Sequence, residues 1–278
     1  MLTNIVVFSK DRPMQLDCTL RSIEKNAKPD FLTVIYKATN SEYEEGYRQI
    51  KANLIKETNF RQNVLDSIKG DYTMFLTDDD IVFKKIKFEE FPDDVVCFSY
   101  RLGLNIDFCY SNNKPNKLKN YKDGDFLEWD WSKEELDFAY PMSVTAHLFK
   151  SDYIRKQTEK VNFSNPNVFE GVLQTVGDVP PLMRSYKESC IVGVPANRVN
   201  DVTSNRNGET YSYPTKELND LFLRGMRIDW ESMEFKINAA QQELKYVLVD
   251  NKVDLKGFKM WVKGKNAPSR KRVREYIY

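Results

Sequence analysis

Short apolar runs alternate with helically spaced apolar positions from the N-terminus onward. NIVVFS reads as a buried strand broken by KDRP, and MQLDCTLRSIEKN then places Leu16, Leu20 and Ile23 on one helix face. FLTVIYKA predicts a second strand. SEYEEGYRQIKANLI predicts a helix carrying Tyr43, Tyr47, Ile50 and Leu54 on one side. NFRQNVLDSIKG predicts a short helix closing at Gly70, DYTMFLT the next strand, and DDVVCFSYRL another. Strand and helix in turn predict an α/β fold: a mostly parallel, Rossmann-like central sheet flanked by helices. Ligands of such sheets bind beyond the carboxyl ends of the strands.

The texture changes after about residue 100. YSNNKPNKLKNYKDGD is polar and reads as a loop or hairpin, while FLEWDWSKEELDFAYP is rich in aromatics. MSVTAHLFKSDYIRKQ predicts a strand running into a helix, NVFEGVLQTVGD a short helix, and ESCIVGVPANRVND a strand and a polar loop. TKELNDLFLRGM and WESMEFKINAAQQELKYVLVD both read as helical, and a basic tail follows. This divides the chain into residues 1–214, with a nucleotide-binding half at 1–100 and a variable acceptor half at 101–214, and a C-terminal helical extension at 215–278.

Composition narrows the function classes. The 42 basic and 41 acidic side chains nearly cancel, so net charge offers no argument for a nucleic-acid partner. No apolar run approaches the roughly 20 residues of a membrane-spanning helix, and MLTNIVVFSKDRP meets charge too early for a signal peptide. The four cysteines show no C-x-x-C spacing and sit beside apolar residues, which suggests buried thiols in a cytoplasmic protein. A single histidine argues against a Cys/His zinc site.

The chemistry concentrates in DYTMFLTDDDIVF, where three aspartates follow a strand. Crowded carboxylates are costly unless a cation balances them. A hard divalent ion, Mn²⁺ or Mg²⁺, takes oxygen ligands and commonly sits between carboxylates and substrate phosphates. If the strand geometry continues, Asp78 and Asp80 point the same way and share that ion, while Asp79 turns toward a ribose hydroxyl or a neighbouring backbone. The ligand expected is a nucleotide or another phosphorylated molecule.

NIVVFSKDRPMQLDCTLRSI, TVIYKATN and NFRQNVLDSIKGDYTMFLTDDD together resemble glycosyltransferases of the GT-A fold, well over residues 3–100 and more loosely to about residue 200. The resemblance implies a nucleoside-diphosphate sugar donor and an Asp-x-Asp motif holding a divalent metal, with Asp78 and Asp80 as its carboxylates. It implies that Ser9, Lys10, Asp11 and Arg12 face the nucleotide, Arg12 against phosphate. Thr39 and Asn40 fall where the family reads the base, without the acidic residue common there. Arg61, Gln62 and Asn63 fall where it places groups near the nucleotide. Glu170 stands at the position of the general base, with Phe169 in place of the usual first acid and Asp152 as fallback.

Trp129, Trp131 and Tyr140, interleaved with Glu128 and Asp130, offer aromatic faces for a carbohydrate or lipid-linked acceptor, or else fill core; in a strand, Trp129 and Trp131 would share one face. His147 is either a buried structural group or a ligand. Asn197, Arg198 and Asn200, with SNRNGETYSYP around Gly208, suggest a segment closing over phosphates. SRKRVREYIY reads as a solvated tail or a peripheral membrane contact. The leading expectation is a metal-dependent glycosyltransferase, inverting rather than retaining. The rivals are a haloacid-dehalogenase-like phosphatase, which also uses D-x-D-x-V after a strand, and a sugar- or nucleotide-binding module without turnover.

Overall fold

A computed structural model describes residues 1–199 and 206–250. The first half follows the apolar pattern closely: β1 (Thr3–Lys10), α1 (Pro13–Asn26), β2 (Phe31–Lys37), α2 (Ser41–Arg48), β3 (Leu54–Lys56), α3 (Phe60–Ser67), β4 (Tyr72–Thr77), β5 (Asp80–Val82) and β6 (Val95–Ser99). The residues of β1 are buried up to Ser9, as expected of a central strand rich in β-branched side chains. Pro13 opens α1, where its fixed φ suits a first helical turn and its missing N–H costs nothing. Asn40 and Asn59 cap α2 and α3 by accepting from Tyr43 N–H and Gln62 N–H.

Beyond β6 come β7 (Phe108–Cys109), β8 (Lys114–Pro115), β9 (Lys122–Asp123), β10 (Leu127–Asp130), β11 (His147–Lys150), α4 (Ser151–Lys160), α5 (Pro166–Leu173), β12 (Leu182–Ser185), β13 (Ile191–Gly193), α6 (Thr215–Leu223), β14 (Met226–Ile228) and β15 (Leu248–Asp250). The main sheet runs β3-β2-β1-β4-β11-β6-β12-β10-β9. The block from β3 to β4 is parallel throughout. β11 is antiparallel to both its neighbours, and β10 is antiparallel to β12 and β9. All the other strands run one way, so the sheet is mostly parallel, as expected. Chain order moves outward from β1 through β2 to β3 and then crosses to β4 on the other side of β1. The gap between the carboxyl ends of β1 and β4 is therefore a topological switch point.

Phe169 anchors an aromatic cluster across the sheet. Its ring stacks on Phe163 at 4.2 Å and meets Phe75 edge-on at 5.6 Å, while Phe75 stacks on Phe8 at 5.7 Å. An acid at residue 169 would face this core, which explains the phenylalanine there.

Four expectations about the elements need correction. α2 ends at Arg48, and Leu54 begins the edge strand β3 instead of extending the helix. α3 ends at Ser67, and Gly70 lies beyond it with φ of 67°; a Cβ there would come within 2.8 Å of the Leu2 carbonyl. Strand β10 stops at Asp130 and Trp131 starts a 3₁₀ turn, so Trp129 and Trp131 do not share a strand face. Residues 230–250 hold no α-helix: after a 3₁₀ turn at Trp230–Ser232 the chain runs extended. The Ala240 carbonyl accepts from Gly193 N–H, Gln242 N–H donates to the Gly193 carbonyl, and the Asn238 carbonyl accepts from Asp107 and Phe108. Met233, Ile237, Ala240 and Leu244 keep helical spacing, yet they serve as successive anchors of a strap across β13 and β7. Of the C-terminal extension only α6 is helical among the described residues; it packs on α1 and α2. The basic tail lies outside the described residues, and no described helix is long and apolar enough to cross a membrane.

Phe169→Ala is expected to lower the unfolding free energy by about 3–5 kcal/mol. Urea titration checks this against Tyr121→Ala, an exposed site expected to change stability by less than about 0.5 kcal/mol.

Candidate functional site

The turn after β1 is built to face β4. Asp11 takes a left-handed conformation with φ of 56°, and its carboxylate accepts from Thr39 N–H at 2.7 Å and Thr39 Oγ1 at 2.9 Å. That clasp fixes the turn against the end of β2 and turns the next residue, Arg12, toward the acid triplet. The structure thus uses Asp11 and Thr39 as a hinge pin for the turn.

Asp78 is buried and fully engaged. Its Oδ2 accepts from Ser9 Oγ at 2.8 Å and Lys10 N–H at 3.2 Å, and its Oδ1 from Arg12 Nη1 at 3.0 Å. The same Nη1 reaches Asp79 Oδ2 at 3.0 Å. Ser9 Oγ also meets Tyr47 Oη at 2.7 Å, which buries this end of β1 under α2. Burial raises the Asp78 carboxyl to about 6; Arg12 opposes the rise and Asp79 adds to it. Burial also pulls on the guanidinium of Arg12, but Asp78 and Asp79 outweigh it and hold Arg12 firmly protonated.

Asp80 is wholly buried. Its Oδ2 accepts from Thr77 N–H at 2.7 Å, and Thr77 Oγ1 stands 3.0 Å from that oxygen and 2.8 Å from Asp79 Oδ1. One hydroxyl proton cannot serve both acids. Burial, with Asp79 second, raises the Asp80 carboxyl to about 7, and a proton on Asp80 completes the set. Its Oδ1 has no hydrogen-bond partner and lies against Gly193, where a Cβ would come within 3.3 Å.

The expected shared direction of Asp78 and Asp80 therefore does not hold. Strand β4 ends at Thr77, residues 78 and 79 form a turn, and the cation brought to the cluster bridges Asp78 and Asp79. Asp79 is the most exposed of the three, at 15% of its side chain. Every carboxylate oxygen of Asp78 and Asp79 already accepts a hydrogen bond. No group of three or more His, Cys, Asp or Glu side chains among the described residues is arranged to hold a metal. As they stand, these side chains do not fit a divalent ion.

Lys10 Nζ donates to the Val199 carbonyl at 2.9 Å, and among the described residues it meets no carboxylate. Arg12 Nε and Nη2 bind Asn197 Oδ1 and its carbonyl at 2.7 and 2.5 Å. Asn197 thus backs the guanidinium of Arg12; Asn200 lies outside the described residues. The amides of Glu209, Thr210 and Tyr211 all donate to Glu243, which fastens the segment around Gly208 to the C-terminal strap.

Arg61 and Asn63 are not brought to the acids. Arg61 binds the carbonyls of Glu159 and Val161 at the end of α4, and Asn63 Oδ1 accepts from Thr58 N–H. Both side chains tie α3 to its surroundings instead of joining the acid cluster. Trp129 is core, with Nε1 donating to the Phe138 carbonyl at 2.9 Å, and Trp131 Nε1 binds the Pro180 carbonyl at 2.7 Å. Neither offers a free indole N–H to an acceptor.

On the acceptor side, Glu170 is half-buried. Its Oε1 accepts from Ser143 Oγ at 2.7 Å and Val144 N–H at 3.1 Å. Tyr140 borders it: burial, then the charge of Glu170, raises the phenol well above its ordinary range. Arg101, missed from the sequence, joins the halves. It pairs with Asp137 at 2.8 Å, reaches Ser143 at 3.4 Å, and its charge is felt by Asp80. The one available signal was an arginine directly after the apolar strand VVCFSY. Asp152 lies exposed in the first turn of α4 and caps nothing. His147 is core: Nδ1 lies 3.1 Å from the Pro141 carbonyl, and burial, with Arg101, lowers it to about 3.

No protein-family model matches the chain, and no curated protein does. Similar solved structures include TarS of S. aureus, at TM-score 0.42 and 13% identity over 69% of this chain and 36% of that one. A cytidylyltransferase from Leptospira borgpetersenii serovar Hardjo-bovis matches at TM-score 0.40 and 9% identity over 68% of this chain and 76% of that one. The glycosyltransferase GlyE of Streptococcus pneumoniae TIGR4 matches at TM-score 0.32 and 13% identity over 80% of this chain and 64% of that one. This chain therefore spans only about a third of TarS.

The folded protein holds His147 neutral, so its contribution is present above the ordinary histidine value of about 6.5 and is lost as pH falls from there toward 3. The stability difference between wild type and His147→Gln should shrink by about 2 kcal/mol between pH 6.5 and pH 5. Denaturant titrations at the two pH values check this. The raised Asp78 and Asp80 act with opposite sign over the same range, but equally in both proteins.

Proposed function

We propose that this chain is a glycosyltransferase that moves a sugar from a nucleoside-diphosphate sugar to an acceptor hydroxyl, on a carbohydrate or lipid-linked acceptor. The observation that carries the reading is the placement of the acids at the topological switch point of the sheet. The carboxylates closing β4 face the turn after β1, where an α/β sheet binds its ligand. The donor's diphosphate lies over the turn from Ser9 to Arg12. Lys10 is the cation offered to it, since among the described residues its ammonium meets a carbonyl and no carboxylate. The partly exposed Asp79 faces the donor, and the buried Asp80 keeps the turn in shape.

Glu170 acts as general base. With one oxygen held by Ser143 and Val144, its carboxylate is oriented before substrate arrives. It takes the acceptor hydroxyl proton as that oxygen bonds to the anomeric carbon. The bond from that carbon to the diphosphate oxygen breaks, and the diphosphate leaves with the electron pair. Attack opposite the leaving group inverts the sugar carbon. Tyr140, beside Glu170, offers its ring face to the acceptor. Four free, buried cysteines suit a reducing, cytoplasmic setting.

The test is a panel of nucleoside-diphosphate sugars offered with mixed glycan and lipid-linked acceptors, scored by release of nucleoside diphosphate. Glu170→Gln should lower kcat by about 10²–10⁴-fold while donor binding persists. Release of inorganic phosphate alone would make the protein a phosphatase, and saturable donor binding with no product would make it a binding module.

A further inference from the structure

The acid triplet already has a counter-ion. The side chain of Arg12 is 7% exposed, and its Nη1 forks between Asp78 and Asp79, 3.0 Å from each. Its other donors face backward onto Asn197, whose own Nδ2 donates to the Tyr213 carbonyl at 2.8 Å. The guanidinium is thus held from both sides, by two acids in front and an anchored amide behind. The oxygens of Asp78 and Asp79 that do not face Arg12 are taken by Ser9, the Lys10 amide and Thr77. The one unpartnered carboxylate oxygen, Asp80 Oδ1, is buried against Gly193 and offers a single ligand.

We infer that Arg12, not a divalent metal ion, neutralises Asp78 and Asp79, and that the resting protein excludes free Mn²⁺ and Mg²⁺ from this site. A metal that entered would either displace a buried guanidinium with four hydrogen bonds or sit beside it. The second course sets like charges a few ångströms apart, worth several kcal/mol even at a moderate effective dielectric. The first strands Arg12 in a buried pocket without its acids. The inference concerns charge balance in the free protein, so it stands or falls independently of the donor and acceptor proposed above.

The experiment is titration of free Mn²⁺ by electron paramagnetic resonance, with no nucleotide present. Wild type is expected to show no saturable binding. Arg12→Met should gain a site at least about tenfold tighter than anything in wild type, and Asp79→Asn added to Arg12→Met should remove it. Asn197→Ala loosens Arg12 from behind without touching the acids, so it should show a smaller gain of the same kind. It serves as the test should Arg12→Met fail to fold by circular dichroism. Saturable Mn²⁺ binding by wild type that Asp79→Asn abolishes would overturn the inference. So would an absence of binding in every folded variant, since something other than Arg12 would then be keeping the ion out.

Discussion

The fork of Arg12 between Asp78 and Asp79 is the constraint on which the rest of the site depends. It joins three pieces of chain far apart in sequence: the turn into α1, the end of β4 and the segment at Asn197. A buried ion pair of this kind is weak evidence for stability, because desolvating both partners offsets much of their attraction. Its value lies in geometry. With the pair intact, every carboxylate oxygen of Asp78 and Asp79 accepts a hydrogen bond; without Arg12, the two carboxylates are left with only hydroxyls and one amide for support. The left-handed Asp11, pinned by Thr39, aims the guanidinium, so a small backbone device sets the electrostatics of the whole crevice.

Asp80 connects this crevice to the second half of the molecule. It closes on Gly193 of β13, and β13 in turn pairs with β5 and carries the C-terminal strap on its other side. Across the sheet the charge of Arg101 reaches Asp80, while its guanidinium holds Asp137 and Ser143, and Ser143 holds Glu170. Hydrogen bonds therefore run from Arg101 through Ser143 to the half-buried acid on α5, while the end of β4 senses Arg101 through its charge. Reversed strand β11, between β4 and β6, makes the link possible by bringing the chain before α4 and α5 back beside the parallel block.

Much of this was legible beforehand, for identifiable reasons. β1, β2, β4 and β6 are short, nearly continuous runs of apolar, β-branched and aromatic residues because central strands are covered on both faces. The acid triplet stood out because three like charges after an apolar strand demand an explanation. Misreadings came where one local pattern serves two structures. Met233, Ile237, Ala240 and Leu244 repeat as a helix would, but the backbone between them pairs with Gly193, Asp107 and Phe108 instead. Trp129 and Trp131 alternate as strand residues would, but the strand ends between them.

The sequence by itself determined that a parallel-type sheet forms, that carboxylates gather at the end of its fourth strand, and that arginine and lysine stand just after its first. Periodicity and short-range hydrogen bonding are properties of neighbouring residues, and the chain carries them openly. Which cation meets which carboxylate is decided by pairings across long separations, such as Arg12 with Asp78 and Asn197, and by where a strand gives way to a turn. Only the tertiary structure could assign Arg12 to the acids, retire Arg61 and Trp129 to structural duty and bring Arg101 between the halves. Those contacts depend on burial and strand order, and no window of sequence contains either.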